Sequence, residues 1–167
     1  MTTHQLSRPG GRARAWVAAA LATALVGVGA VAIATSASAA PVNLSQGKIV
    51  SASSVEGADV NASKAVDGDN GTRWASQFAD NQWIQVDLGS QKTFTTVQLV
   101  WEAAFAKGYK VQTSNDGTTW TTLTEITNGD GNVDTVNVNG NARYVRLQGV
   151  TRGTAYGYSL YELGVYA

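Results

Sequence analysis

Short runs in which apolar and polar residues alternate limit the fold of this chain more than any other feature. The clearest are WIQVDL, FTTVQLVW and YKVQT, and VDTVNV, RYVRL and the closing YELGVYA alternate in the same way. Because successive side chains of a strand point to opposite faces, each run predicts a β-strand with one apolar face. After residue 41 no helical period persists for three turns, although NASKAV is compatible with one helical turn.

Glycine-containing dipeptides that suit tight turns separate these runs. They are Asp116-Gly117, Asn128-Gly129, Asp130-Gly131 and Asn139-Gly140. Asp-Gly and Asn-Gly favour hairpins because both central residues can adopt positive φ. Several short strands at this spacing predict an all-β fold, an antiparallel sandwich.

The first 39 residues have the pattern of a secretory signal peptide. The leader begins with three arginines and no acid: Arg8, Arg12 and Arg14. An uncharged run from Trp16 to Ala34 follows, and the small residues Ala37 and Ala39 stand at the cleavage positions. We expect cleavage after Ala39 and an extracellular, secreted protein. The alternative is a retained membrane anchor, since the uncharged run is nearly long enough to span a bilayer. We then expect residues 40–167 to form one domain with no catalytic domain attached.

The composition of residues 40–167 excludes several classes of function. With nine basic against twelve acidic residues, the formal charge is −3 without the leader. Nucleic-acid binders are basic, so we expect no nucleic-acid partner, and anionic membranes are a poor electrostatic match. The only histidine, His4, lies in the leader and the chain has no cysteine. The domain therefore lacks the usual zinc ligands and any Ser-His or Cys-His pair, so we expect no enzyme.

The segment AVDGDNGTRW concentrates oxygen donors between two glycines. Asp67 and Asp69 supply carboxylates and Thr72 supplies a hydroxyl, which are groups that calcium accepts among its six to eight oxygen ligands. The segment is not an EF-hand loop, because no glutamate closes it. The alternative is an Asx turn in which Asp67 caps its own backbone. The local residues leave both interpretations open.

Five segments, in order, resemble the discoidin, or coagulation factor type C, domains. They are SKAVDGDNGTRWAS, QWIQVDLG, YKVQTSNDGTTW, RYVRLQG and YSLYELGVY. Within that superfamily the chain most resembles the bacterial carbohydrate-binding modules of family 32. The series SSVEGA, TRW, WEAA and YGYSL is similar to modules attached to secreted β-glucanases and chitosanases. The resemblance covers residues 42–167 and implies a galactose-binding-domain-like jelly-roll sandwich of about eight strands.

The same resemblance implies a structural calcium ion. Its ligands would be the side chain of Asp67, the hydroxyl and carbonyl of Thr72, the carboxylate of Glu162, and carbonyls near Lys64, Asp69 and Asn70. Glu162 follows Asp67 by 95 residues, so the resemblance alone joins it to the loop.

The resemblance also places a sugar ligand on the loops at one end of the sandwich. Aromatic rings suit the C–H face of a pyranose, and planar charged groups suit neighbouring hydroxyls. The candidates are Glu56, Arg73, Phe78, Glu102, Arg152, Tyr156 and Tyr158, with Gln77 and Phe105 nearby. The alternative to a sugar-binding role for Arg73 is a structural ion pair with Glu56 or Glu102. The alternative for Tyr158 is a place in the core.

These features predict a non-catalytic protein that binds a β-linked polysaccharide, a β-glucan or a chitosan-like chain. Glu56 and Glu102 suit an amino sugar because a carboxylate binds an ammonium group. Family members that bind galactose usually use a histidine, which the domain lacks. Lipid or protein adhesion of the discoidin type is the alternative. A glycosidase using both glutamates is a further possibility, for which the family offers no precedent.

Overall fold

The computed structural model describes residues 40–167, so the predicted leader lies outside the described residues. This part contains seven strands: β1 (Ile49–Ala52), β2 (Trp74–Ala75), β3 (Trp83–Trp101), β4 (Ala106–Ser114), β5 (Thr121–Ile126), β6 (Val133–Arg152) and β7 (Ser159–Tyr166). Two short 3₁₀ helices, Ala58–Val60 and Ala62–Val66, lie between β1 and β2. The second is the helical turn predicted for NASKAV. None of the helices in this range is long and apolar enough to cross a membrane.

The strands pair antiparallel throughout and form a sandwich around two long strands, β3 and β6. Residues 84–87 of β3 pair with β1 and with the second half of β6. Residues 96–100 of β3 pair with the first half of β6 and with β7, which also pairs with β2. β4 joins the second half of β6 to β5. The antiparallel all-β sandwich predicted from the alternating runs is therefore confirmed.

The strand count differs from the prediction of about eight, because two pairs of predicted strands are continuous. WIQVDL and FTTVQLVW both lie in β3, whose register with β6 shifts between Asp87 and Lys92 and between Phe94 and Thr96. The hairpin predicted at Asn139-Gly140 is wrong, since both residues lie inside β6. A Cβ at Gly140 would overlap the Phe94 ring, so glycine here allows the buried phenylalanine to pack.

The core consists of the apolar faces that the alternation predicted. Ile84, Val86 and Leu88 from the first half of β3 are all buried, as are Val97 and Leu99 from its second half. Because both halves bury alternate residues, β3 contributes to the core from each layer of the sandwich. Burying one such side chain stabilises the fold by about 1.5–3 kcal/mol.

Two tryptophans lie on the outer face of the sandwich. Trp83 and Trp120 are half-buried, and the guanidinium carbon of Arg146 lies 4.3 Å and 3.7 Å from the two ring centroids. The Gln85 side chain accepts hydrogen bonds from Arg146 at 3.1 Å and 2.6 Å. Arg146 is thus covered by aromatic rings, and burial lowers its pKa.

A bidentate ion pair joins β3 to β6 on the same layer. Arg143 donates to Asp87 from Nε at 2.8 Å and from Nη2 at 2.7 Å. The Arg143 hydrogen bond, helped by the Gly89 backbone N–H, lowers the pKa of Asp87 from 3.8 to about 2. A carboxylate with a lowered pKa adds stability that is complete above its unfolded-state value and is lost as the pH falls through the folded-state value.

The free energy of unfolding is therefore expected to fall between about pH 4 and pH 2 as Asp87 becomes protonated. An Arg143→Met variant should be less stable at pH 5 and should lose less stability over that interval. Urea denaturation of both proteins at pH 5, 4, 3 and 2 measures the difference. Parallel pH dependences would contradict the assigned role of the pair.

Candidate functional site

A cavity of about 320 Å³ opens where the loops around β2 meet the end of β3 and the start of β7. Its lining includes six of the seven residues predicted to contact sugar: Glu56, Arg73, Phe78, Glu102, Tyr156 and Tyr158. These residues come from four separate segments of the chain. The fold thus brings together side chains that are up to about a hundred residues apart in sequence.

The buried Ser159 holds three of these segments together. Its hydroxyl donates to the Trp74 carbonyl at 2.9 Å and accepts from Arg73 Nη1 at 2.9 Å. Its backbone N–H donates to the Ala104 carbonyl at 2.7 Å, and its carbonyl accepts from the Glu102 N–H at 3.0 Å. Because buried polar groups need partners, this network fixes the relative positions of Arg73 and Glu102.

A second buried serine, Ser76, holds the tyrosine segment against β2. Its hydroxyl accepts from the Tyr158 N–H at 2.9 Å, and its own N–H donates to the Tyr158 carbonyl at 2.9 Å. The Glu56 N–H donates to the Ala75 carbonyl at 2.8 Å, which attaches the fourth segment. The sequence analysis did not identify either serine, because nothing in the local sequence distinguishes Ser76 and Ser159 from surface serines.

Arg73 is positioned by its hydrogen bond to Ser159 and not by an acid. Among residues 40–167 it forms no ion pair, so the structural pair with Glu56 or Glu102 is not observed. Arg73 is half-buried at the cavity wall, and the rest of its guanidinium donors remain available to a ligand.

Two carboxylates line the same cavity. Glu56 is exposed, whereas Glu102 is half-buried and accepts a hydrogen bond from the Ala104 N–H at 3.0 Å through Oε2. No lysine or arginine of the described range forms an ion pair with either acid. The cavity therefore presents two hydrogen-bond acceptors with negative charge beside one guanidinium.

The aromatic residues divide into an exposed pair and a buried wall. Phe78 and Tyr156 are 52% and 61% exposed, and their rings meet edge to face with centroids 5.6 Å apart. Tyr158 is buried, and burial followed by the charge of Asp80 raises its pKa to about 12. Tyr158 therefore belongs to the core while also lining the cavity, and Phe78 and Tyr156 form the surface on which a ring could stack.

Arg152 is the one predicted sugar-binding residue that does not line the cavity. Its Nε donates to Asp80 at 3.0 Å, and its Nη1 donates to the carbonyls of Ala155 and Tyr156 at 3.0 Å and 3.2 Å. The side chain thus stabilises the loop that carries Tyr156. Phe105, a weaker candidate, packs against Gly131 and Gly153 beside a neighbouring cavity.

Gly157 is the point of closest backbone approach in this cavity. A Cβ there would lie 2.5 Å from both the carbonyl oxygen and the hydroxyl of Ser76. Gly157→Ala is expected to shift the Tyr156 loop and to lower the free energy of unfolding by about 1–3 kcal/mol, because a close-packed backbone must move. Gly57→Ala is the matched control, since open space surrounds Gly57. Equal stability of the two variants in urea denaturation would contradict this packing.

The loop predicted to hold calcium lies next to the site and has oxygen atoms turned toward one another. Asp67 Oδ1 accepts from the Asp69 N–H at 3.0 Å, and Oδ2 accepts from the Thr72 hydroxyl at 2.7 Å. Glu162 reaches the loop, because its Oε1 accepts from the Gly68 N–H at 2.7 Å. The Asx turn at Asp67 is therefore present, and the distant Glu162 is adjacent to it as the resemblance implied.

Two carboxylates, those of Asp67 and Glu162, lie close together in this loop. Burial raises the pKa of Glu162, and the nearby charge of Asp67 raises it further. Lys64 Nζ lies 3.9 Å from Asp67 and gives only partial compensation at the surface. Residues 40–167 contain no cluster of three acidic, histidine or cysteine side chains. A metal there would depend on the Thr72 hydroxyl and on backbone carbonyls such as those near Asp69, Asn70 and Lys64, which suits a hard cation such as calcium.

Comparison with protein-family models decides the family. Residues 49–163 match the F5/8 type C domain. The chain belongs to the F5/8 type C domain family. The resemblance seen in the five sequence segments is thereby confirmed, and the sandwich is the discoidin-like fold of that family.

Several solved structures are similar to this chain. Chitosan-binding module 1 from a chitosanase/glucanase of Paenibacillus sp. IK-5 is 51% identical, with a TM-score of 0.73 over 75% of this chain and 98% of that module. Module 2 of the same enzyme, solved with chitotriose, is 46% identical with a TM-score of 0.73, over 75% of this chain and all of that module. The family 32 module of Clostridium perfringens NanJ, solved with galactose, is 25% identical with a TM-score of 0.67 over 76% and 98%.

A curated relative is much longer than this F5/8 type C domain. Polysaccharide lyase 8 family protein HylA of Enterococcus faecalis is 37% identical over 89 residues, which are 51% of this chain and 6% of the lyase. The chain therefore spans only a small part of that enzyme.

Proposed function

We propose that this F5/8 type C domain is a carbohydrate-binding module for β-linked polysaccharide, with a chitosan-like chain as its preferred ligand and a neutral β-glucan as the weaker one. The observation that carries the proposal is the single cavity lined by Arg73, two acids without ion-pair partners and two exposed aromatic rings. The relatives that share about half of its residues along the whole module are described as chitosan-binding modules, which supports the amino-sugar ligand.

Different side chains of the cavity are proposed to bind different parts of a sugar. Phe78 and Tyr156 offer aromatic surface to the C–H face of a sugar ring, and the edge-to-face contact between them limits their motion. Arg73, already oriented by Ser159, donates to hydroxyl oxygens. Because the guanidinium is held before the ligand arrives, little side-chain entropy is lost on binding.

The two acids give the preference for glucosamine. Glu56 and Glu102 accept hydrogen bonds from hydroxyls of any hexose, but a protonated amine makes a charge-assisted bond that is roughly twice as strong. The domain carries nine basic and twelve acidic residues, so its net charge also attracts a cationic polymer. Binding to chitosan should therefore weaken as salt is added, since screening reduces the attraction of exposed charges.

The proposed role does not include catalysis. The relatives that match over their full length are binding modules, and the lyase is matched over too small a part to lend its activity to this domain. We further propose that the protein is secreted, from the leader pattern in residues 1–39.

A structural calcium ion is part of the proposal. Asp67, Thr72 and Glu162 would hold it together with loop carbonyls, and it would neutralise two carboxylates that otherwise repel. The loop ends at Thr72, directly before Arg73, so a rigid loop limits the motion of the arginine backbone.

Retention on insoluble polysaccharides tests the proposal. Residues 40–167 should be retained on chitosan, more weakly on the β-1,3-glucan curdlan, and least on cellulose and chitin. Anionic lipid vesicles, assayed alongside, should not retain the domain. Retention on vesicles with none on any polysaccharide would overturn the proposal in favour of lipid adhesion.

A further inference from the structure

A second cavity, of about 250 Å³, shares a wall with the first. Glu102 and Ala103 line both of them. Beyond this shared wall the second cavity is bordered by Phe105, Asp130, Asn132 and Tyr161. The two adjoining cavities lie at the end of β3 and are together called the groove.

The ridge between the two cavities is low. Ala103 is exposed and Ala104 is buried, so no side chain larger than a methyl group rises between the cavities at these positions. The hydrogen bond from the Ala104 N–H to Oε2 holds the Glu102 carboxylate in place. A linear polymer can therefore pass from one cavity to the other beside the Glu102 carboxylate.

The far wall of the groove is a loop with a fixed backbone. Gly131 and Asn132 have φ of 83° and 61°, a left-handed pair that turns the chain sharply. The Asn132 carbonyl accepts from the Trp101 N–H at 2.7 Å, which attaches the loop to the last residue of β3. This attachment fixes Asp130 relative to Glu102 on the same side of the sandwich.

Asp130 is the available acid of this second cavity. Its neighbour Asp134 accepts hydrogen bonds from Trp101 Nε1 at 2.8 Å and from Tyr109 Oη at 2.7 Å, so that carboxylate is committed to the fold. Asp130 is exposed and, within residues 40–167, forms no ion pair. It therefore combines a free negative charge with the aromatic wall formed by Phe105 and Tyr161.

We propose that the second cavity is an additional subsite, in which Asp130 binds the ammonium group of a further glucosamine unit of a chain whose preceding two units occupy the first cavity. This inference rests on the proposed function, and it adds that the domain recognises oligomers with repeated amino groups and not single sugars. Because Asp130 is exposed, its ion pair with an ammonium group contributes up to about 1 kcal/mol, so Asp130 should increase affinity for long glucosamine chains about three- to fivefold.

Calorimetric titration with glucosamine dimers and hexamers tests the subsite. Asp130→Asn should weaken hexamer binding about three- to fivefold and leave dimer binding unchanged. Tyr161→Ala, which removes an aromatic wall of the second cavity alone, should also weaken hexamer binding and leave dimer binding unchanged. Glu125→Gln removes the same charge on β5 outside both cavities, and it should bind like the parent domain. Asp130→Asn and the parent domain should have the same affinity for the N-acetylglucosamine hexamer.

The outcomes separate this inference from the proposed function. If both Asp130→Asn and Tyr161→Ala bind the hexamer like the parent, the subsite does not exist and the first cavity is unaffected by that result. If the parent binds neither glucosamine oligomer, the proposed function fails and the subsite with it.

Discussion

An Arg73→Met variant is expected to lose retention on chitosan while remaining folded. Methionine keeps the apolar stem and removes the guanidinium, which the structure orients through Ser159 without any acid partner. Hydrogen bonds to charged groups contribute about 1.5–3 kcal/mol, so the affinity for a glucosamine oligomer should fall by about 10- to 100-fold. Because module affinities are weak to begin with, such a fall removes retention on the polymer. Calorimetry with a glucosamine trimer measures the change.

Arg143→Met is the matched control for this variant. It removes the same charge from a guanidinium that pairs with Asp87, and Arg143 lies outside the cavity lining. The control should bind the trimer like the parent although it is less stable. Equal binding by the Arg73→Met variant and the parent would remove Arg73 from the proposed site.

Removing calcium is expected to lower the melting temperature by about 5–10 °C. A ligand present at a hundred times its dissociation constant stabilises the folded state by about 2.7 kcal/mol, and a domain of this size shifts by a few degrees for each kcal/mol. The physical reason is the proximity of Asp67 and Glu162, whose like charges are relieved by a cation. Differential scanning calorimetry in millimolar calcium and in excess chelator measures the shift.

The Asp67→Asn variant provides the control for calcium. It removes one of the two carboxylates and keeps an oxygen that can accept the Asp69 N–H, so the Asx turn is retained. Its melting temperature should not respond to chelator. A parent domain that melts at the same temperature with and without calcium would show that the Asx turn alone orders this loop.

The period-two alternation was sufficient to predict the fold class, because the same pattern determines which side chains are buried. Ile84, Val86 and Leu88 occupy the core as the alternation predicts. The alternation did not predict the number of strands. Whether Asn139-Gly140 turns the chain or continues a strand depends on the distant Phe94 ring packing over Gly140, and a local sequence contains no such contact.

The sequence motifs predicted which side chains share this cavity, but not the residues that hold those side chains in place. The family motifs selected six residues that line one cavity, and Arg152 was the exception because Asp80 and two carbonyls use its donors. The buried Ser159 lies 86 residues from Arg73, so no local pattern indicates that its hydroxyl orients the guanidinium. The sequence did not predict the second cavity. Its loop is attached to β3 by the hydrogen bond between Asn132 and Trp101, which are 31 residues apart, so no local pattern indicates the contact.

Chemical-shift mapping of residues 40–167 during titration with a glucosamine trimer tests the central claim most directly. The account predicts that the backbone amides of four segments shift together: 54–58, 73–79, 102–105 and 156–159. Perturbations confined to the outer sheet face around Trp83 and Trp120, or to the opposite turn at Asp116-Gly117, would contradict it.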